Sequence, residues 1–511
     1  MSKKKEIRLQ YSGFVIFTIQ VFSLITGLIF TLLLTREMSP KQFGVWTNIF
    51  DYTAYFVLFS GLLPFWATRF VARNKEGTVK TSVLAQLTMA LVSMGLYFPV
   101  IFVVYNYVVE PKIGTEAYLP IFLIAGLYVL TYYMINVFES NLQSSKPQAV
   151  GWGLLIEEIV KVSVALVLIL GFKQLFLGAI LALVLSCFVQ IGYYVWLLKD
   201  YFKEKLDWGY LKEWLKGSTA MAYNAIGGQL MAFVFIMLFV FGGAETRAYY
   251  QAAFTFTTII GYAGSLAYAL YPKLLSNSCS DEQVGLSFRT VLMLAIPFAT
   301  ITIVMSTAFL TILNVNYAVA WPVLIILTID TLVTLMYSFY TSCIMGKEAF
   351  DAEGKISIRK LFRSKIFKVF TIPYIQAAIA LPLVYFALTR LPVAGSVQAV
   401  VYVVAILIGV HLSTFLGLYA FMHREVCLPV AWKSIFKYVL ASFIMGSIMF
   451  FVLPPTTTLL PTTAKAIAGF AIYVGLLLAI DAQARKLIRL IGEEIKGSLG
   501  LLKSENDNSL K

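Results

Sequence analysis

Charge is what this sequence has least of. Only 13% of its 511 residues are Asp, Glu, Lys or Arg, where a soluble domain carries about 25%. Such a chain cannot cover itself with solvated groups, so a water-soluble globule is excluded and lipid must cover most of its surface. Histidine is nearly missing, with two residues, and the four cysteines (Cys187, Cys279, Cys343 and Cys427) form no CxxC pair. A zinc site or a dithiol redox site therefore has no basis in the sequence, and no metal or cofactor is expected. No run of ten-residue segments alternates polar with apolar residues, which excludes a β-barrel. The basic excess, a net charge of +14, falls in short gaps between apolar runs and forms no groove-lining stripe, so nucleic acid is not an expected partner.

What is present is apolar length. The chain is 59% hydrophobic and 15% aromatic, with a mean hydropathy of +0.82. A helix crossing the hydrocarbon core needs roughly 20 apolar residues. Read that way, the sequence contains fourteen candidate spans, at 12–34, 43–64, 82–106, 117–138, 149–171, 175–198, 217–241, 248–271, 287–313, 317–341, 369–389, 396–421, 434–453 and 464–482. The first is too long for a signal-peptide core and lacks a small-residue cleavage site, so it reads as a retained span. The expected fold class is all-α: a polytopic membrane protein with about 14 transmembrane helices.

The basic residues test this count. Lys and Arg gather in cytoplasmic segments. With the N-terminus inside, the inner segments hold 32 of the 40 basic residues and the outer loops hold seven, while Lys161 lies within a span. One helix too many or too few would invert the bias downstream of it. The chain is therefore expected in the cell membrane with both termini cytoplasmic. Cys279 and Cys427 then face the cytoplasm, and no outer loop holds a cysteine.

The two halves resemble each other at an offset of about 205 residues. Ser39-Pro40-Lys41-Gln42-Phe43-Gly44-Val45-Trp46 opens the second span, and Ala244-Glu245-Thr246-Arg247-Ala248-Tyr249-Tyr250-Gln251 opens the eighth. Six spans separate the copies, so both have the same orientation. That is the parallel repeat of transporters in which two six-helix lobes face a central cavity. The expected organisation is an N-terminal lobe over 1–200, a C-terminal lobe over 201–425, two additional helices over 426–485 and a tail over 486–511.

Two stretches carry a resemblance to a known family. One is Leu34-Thr35-Arg36-Glu37-Met38-Ser39-Pro40-Lys41-Gln42-Phe43-Gly44-Val45-Trp46. The other is Gly61-Leu62-Leu63-Pro64-Phe65-Trp66-Ala67-Thr68-Arg69-Phe70-Val71-Ala72. A weaker one pairs Ala248-Tyr249-Tyr250-Gln251-Ala252-Ala253 with Tyr271-Pro272-Lys273-Leu274-Leu275-Ser276. Together they resemble the polysaccharide-synthesis, Wzx-like branch of the multidrug/oligosaccharidyl-lipid/polysaccharide exporter superfamily. Ser60 stands where that branch often has an acidic residue before Gly-Leu. The resemblance implies a flippase that carries a polyprenyl- or dolichyl-linked oligosaccharide across the membrane by alternating access. It also implies membrane lipids, a coupling cation and glycan-assembly proteins as partners.

Charge inside a span is rare because desolvation is costly, so each intramembrane charge is a functional candidate. Asp330 lies near the centre of the tenth span, facing a polar cavity or bonded to Thr328 or Thr334. Asp51 sits two turns into the second span. In the fifth, Glu157 and Lys161 are four residues apart, share a helix face and can pair; that pair reads as structural, and Glu158 as the freer acid. Arg69 offers a fork of donors suited to phosphate or carboxylate, or anchors the inner end of its span. Arg36 and Arg247 stand at the outer mouths of the lobes, as phosphate contacts or as ordinary snorkelling side chains. His411 reads as a packing residue and Glu139 as interfacial. Gly227-Gly228 in the seventh span, Pro297 in the ninth, and Pro373 with Pro382 in the eleventh interrupt helix geometry, and the glycine pair is a candidate hinge. The interleaved basic and apolar residues of 347–368 read as a topology determinant, with a membrane-surface helix as the alternative.

Two other functions stand beside the flippase. A cation-coupled drug or metabolite antiporter would need a compact ion site, for which Asp330 and Glu158 qualify. A glycan polymerase, ligase or glycosyltransferase would need large extramembrane regions. The short outer loops, the lack of a DxD motif and the scarcity of histidine argue against an enzyme.

Overall fold

The computed structural model describes residues 9–114, 118–267, 281–347, 364–391, 396–425, 432–454, 456–481 and 484–485. The segments Tyr271–Ser276, 348–363 and 486–511 lie outside the described residues, as do Cys279 and Cys427. Among the described residues the chain is helical throughout, without a strand. This follows from the lipid setting, where backbone groups find no water and must bond within their own segment.

Every candidate span contains a helix, although the second and the ninth are each divided between two. In chain order these are α1 (Leu9–Glu37), α2 (Pro40–Phe56), α3 (Leu62–Ala72), α4 (Thr78–Ile113), α5 (Leu119–Ser145), α6 (Pro147–Ala165) and α7 (Leu175–Leu198). A short helix α8 (Trp208–Gly217) precedes α9 (Thr219–Gly242), α10 (Ala244–Gly261), α11 (Asp281–Val304) and α12 (Ser306–Leu313). The chain continues through α13 (Trp321–Lys347), α14 (Lys365–Arg390), α15 (Val397–Glu425), α16 (Trp432–Phe451) and α17 (Leu459–Ile480). Ten helices among the described residues are long and apolar enough to cross a membrane. The chain is a multi-pass membrane protein. Of the other candidate spans, α2 is short, α6 carries Glu157, Glu158 and Lys161, and α10 carries Glu245 and Arg247.

The second span, expected as one helix over 43–64, is divided. α2 starts from a capping box, in which the Ser39 hydroxyl accepts from the Gln42 amide and the Gln42 side chain accepts from the Ser39 amide, with Pro40 at the first helical position. It stops at Phe56, and α3 begins after Gly61. The carbonyls released at the break are met by neighbours. Tyr133 and Ser93 donate to the Phe56 carbonyl, and Gln86 donates to that of Ser60. Irregular backbone at membrane depth persists only where such partners exist.

Neighbour relations in the first half recur in the second. α1 packs on α6 as α9 packs on α14; α4 packs on α5 as α11 packs on α13. α5 and α6 both pack on α7, as α13 and α14 both pack on α15. α16 lies on α11, and α17 lies on α16 and α11. The halves meet chiefly along α2 and α10, the two helices opened by the matching sequence stretches. Their closest approach explains Gly44: a Cβ there would lie 1.8 Å from the Ala244 carbonyl oxygen.

Candidate functional site

Among the described residues, the α2–α10 seam carries a buried ion pair between the halves. Asp51 lies on α2 and Arg247 in the first turn of α10. Arg247 Nε donates to Asp51 Oδ2 at 2.8 Å and Nη2 to Oδ1 at 2.9 Å, which is the bidentate fork-on-carboxylate geometry. Nη1 donates to Gln251 Oε1 at 3.1 Å. The guanidinium carbon lies 5.0 Å from the Phe235 ring centre and 5.6 Å from that of Tyr250, within cation–π range. The two side chains are only 5% and 7% exposed. Arg247, expected at the outer mouth, is thus not an external side chain; the fork is drawn inward by Asp51 and by two aromatic faces.

This pair lines a cavity of about 500 Å³ between the halves. α1 contributes Phe30, Thr31 and Leu34, α2 contributes Trp46, Thr47 and Phe50, and α9 and α10 contribute Gln229, Phe235, Tyr250 and Gln251. A second cavity of about 660 Å³ shares Thr31, Gln251, Phe254 and Thr255 with the first. It runs between α1 and α10 to Leu459, Leu460 and Thr463 at the start of α17. A charged, hydroxyl-bearing chamber therefore adjoins an apolar groove.

Arg36 lies at the end of α1 and is exposed. It donates through Nε and Nη2 to the Ile312 carbonyl of α12, at 3.3 and 3.2 Å. Asn314 returns a bond to the Thr35 carbonyl at 3.2 Å. With Phe43 and Tyr249 both edge-on to Tyr317, these contacts close the halves together at the α1–α2 turn. At the other end of the divided span, Arg69 on α3 lies over the Phe65 and Trp66 rings, 4.1 and 5.5 Å from their centres. Trp66 Nε1 donates to Ser218 Oγ at 3.0 Å, which ties α3 to the start of α9.

Asp330 and Glu158 lie outside both cavity linings. Asp330, on α13, pairs with His411 on α15, Nδ1 to Oδ1 at 2.7 Å. The histidine read as a packing residue is therefore the partner of the most central acid, and Thr334 instead donates to the Asp330 backbone carbonyl. Glu158 faces α1: Ser23 and Thr26 donate to its two oxygens, and Lys161 bonds both Glu157 and Glu158. Glu139 is half-buried and accepts from Gln190 and Tyr194. Gly227 and Gly228 lie inside the continuous helix α9. A Cβ at Gly227 would meet the Tyr374 ring at 2.6 Å, whereas one at Gly228 would meet nothing within 4 Å.

The polysaccharide biosynthesis protein family matches residues 10–277, just over half of the chain. The chain belongs to that family. No curated protein matches it by sequence. In three dimensions it is similar to the lipid II flippase MurJ in an inward closed conformation, at 14% identity and a TM-score of 0.63, covering 93% of this chain and 100% of that one. It is also similar to a multidrug resistance MATE family transporter in an inward-facing conformation, at 11% identity and a TM-score of 0.58, covering 80% and 98%. A third likeness is to a MOP superfamily transporter from Pyrococcus furiosus, at 13% identity and a TM-score of 0.53, covering 81% and 95%. At such identities the likeness establishes a shared fold.

Proposed function

We propose that this family member is a flippase for a lipid-linked oligosaccharide, working by alternating access between halves at 1–200 and 201–425. The observation that carries the reading is the Arg247 fork, buried in the cavity wall and held by a carboxylate from the opposite half. A phosphate oxygen pair has the same match to the fork as Asp51. An incoming diphosphate can take the carboxylate's place, which at once binds the head group and frees α2 from α10. A bare diphosphate cannot cross hydrocarbon, since desolvating a charge costs many kcal/mol. The cavity receives the head group and first sugars, while the adjoining groove along α1, α10 and α17 takes the lipid tail. Arg69 meets the phosphate at the inner side and Arg36 at the outer side, with both termini cytoplasmic. With the cell interior negative, outward movement of an anion is favoured by ~2.3 kcal/mol per charge per 100 mV.

The test is translocation of a polyprenyl diphosphate oligosaccharide in proteoliposomes under an imposed potential. Arg247→Ala and Arg69→Ala are expected to reduce it at least tenfold, and the Lys variants to restore part, because the planar fork is lost. Full activity in both Ala variants, with indifference to the potential, would overturn the mechanism. The Asp330–His411 pair favours a second reading, a cation-coupled antiporter. Drug or metabolite efflux driven by a proton or sodium gradient, without sugar-lipid movement, would place that reading first.

A further inference from the structure

A second polar cluster lies away from the inter-half cavity, in the seam between α1 and α6. Lys161 Nζ sits 3.1 Å from Glu157 Oε1 and 3.0 Å from Glu158 Oε2. Glu158 also accepts from Ser23 Oγ at 2.8 Å and from Thr26 Oγ1 at 2.7 Å. The Lys161, Glu157 and Glu158 side chains are 12%, 15% and 7% exposed.

An ion pair that merely made a charged helix cheaper to bury would need one acid for one base. Here two carboxylates close on a single ammonium, and two α1 hydroxyls donate to one of them, Glu158. Buried charges persist when they are paired or hold a metal ion. Converging carboxylate oxygens are what a hard cation takes. The corresponding seam of the second half, between α9 and α14, is built differently. Tyr223 and Tyr374 stack there with ring centres 4.5 Å apart, and among the described residues no ion pair crosses it. The cluster is thus not a requirement of the shared packing. It also grips a helix that lines the transport cavity, since α1 supplies Phe30, Thr31 and Leu34.

We propose that Lys161 is a built-in cation: its ammonium fills a monovalent-cation site formed by Glu157 and Glu158, with Glu158 held in place by Ser23 and Thr26. The site holds α1 against α6 without drawing an ion from solution. The first half therefore needs no sodium, and removal of the ammonium opens a sodium site. The inference concerns ion binding, and stands or falls independently of which glycolipid is carried.

The experiment uses the full-length protein in detergent, melted in sodium chloride and in choline chloride at equal ionic strength. The unaltered protein and Lys161→Arg are expected to melt alike in both salts. Lys161→Ala is expected to melt several degrees higher in sodium, saturating with concentration, and the double variant Lys161→Ala, Glu158→Gln to lose that response. Sodium-dependent melting of the unaltered protein that Glu158→Gln abolishes would overturn the proposal, and this measurement decides even if Lys161→Ala does not fold. Lys161→Ala that ignores sodium also overturns it, including the case in which the variant responds only to acidification, because the vacated acids then take a proton rather than a metal cation. Recovery of folded Lys161→Ala in sodium but not in choline supports it.

Discussion

Neutralising the Asp51–Arg247 pair separates its structural from its functional role. Removing Arg247 leaves the Asp51 carboxylate 7% exposed without its two N–H donors. Breaking a buried pair from one side costs about 3–5 kcal/mol, because the remaining charge has neither water nor partner. Asp51→Leu leaves the guanidinium in the same position, partly relieved by Gln251 and the Phe235 and Tyr250 rings, so its cost is expected at the lower end. The double variant Arg247→Met, Asp51→Leu buries no charge, and is expected to recover most of the loss, with a coupling of at least about 1.5 kcal/mol. Thermal melting in detergent of the four proteins supplies the cycle, read as the double variant melting above either single. The same double variant is expected to fail in sugar-lipid translocation, since the cavity lining then lacks the guanidinium proposed to take phosphate in place of Asp51. Single costs that add within about 0.5 kcal/mol would mean the residues do not interact. Transport at full rate by the stable double variant would remove the fork from the mechanism.

At Gly44, Ala substitution forces α2 and α10 apart, because a Cβ cannot sit 1.8 Å from the Ala244 carbonyl oxygen; overpacking costs about 1–3 kcal/mol, and cross-linking of Cys pairs placed at this turn is expected to fall. In the seventh span, Gly227→Ala strains the Tyr374 contact and Gly228→Ala meets open space. The first is expected to lower both melting temperature and transport, while the second stabilises the helix by up to about 1 kcal/mol and slows transport if the pair bends; unchanged transport in Gly228→Ala would end the hinge idea. His411→Ala strips Asp330 of its 2.7 Å partner, and is expected to shift the ion-gradient dependence of transport with Asp330→Asn shifting it alike; divergent shifts would mean the two do not act together. Single-cysteine labelling after Pro111 and Gly242 is expected to report the outer face, and an inner signal at either would invert the topology.

Element existence and type were legible from the residues alone. Apolar runs of 20 residues with few charges have one outcome in lipid, and each candidate stretch does contain a helix. The Ser39 capping box and Pro40 announced the start of α2, since caps are made within a few residues. The family was legible in the stretches around Gly44 and Arg69, and the intramembrane charges singled out Asp51, though most of the cavity lining is uncharged and went unnamed. Partners were not legible, because pairing across the molecule depends on which helix faces which. Asp51 and Arg247 are 196 residues apart, and Asp330 and His411 are 81 apart. Periodicity says which side of a helix is polar, and it does not say whose polar side it meets. Arg247 therefore read as an outer-mouth cation and His411 as packing. The break between α2 and α3 has a local signal in Gly61 and in Pro64, whose missing N–H leaves the Ser60 carbonyl open, but the opened carbonyls persist only because Tyr133, Ser93 and Gln86 arrive from other helices. Local bonding and transfer to lipid act within one segment and can be read from it; the meeting of two buried charges is a property of the packed bundle, where a low dielectric makes the right partner worth several kcal/mol and a missing one unaffordable.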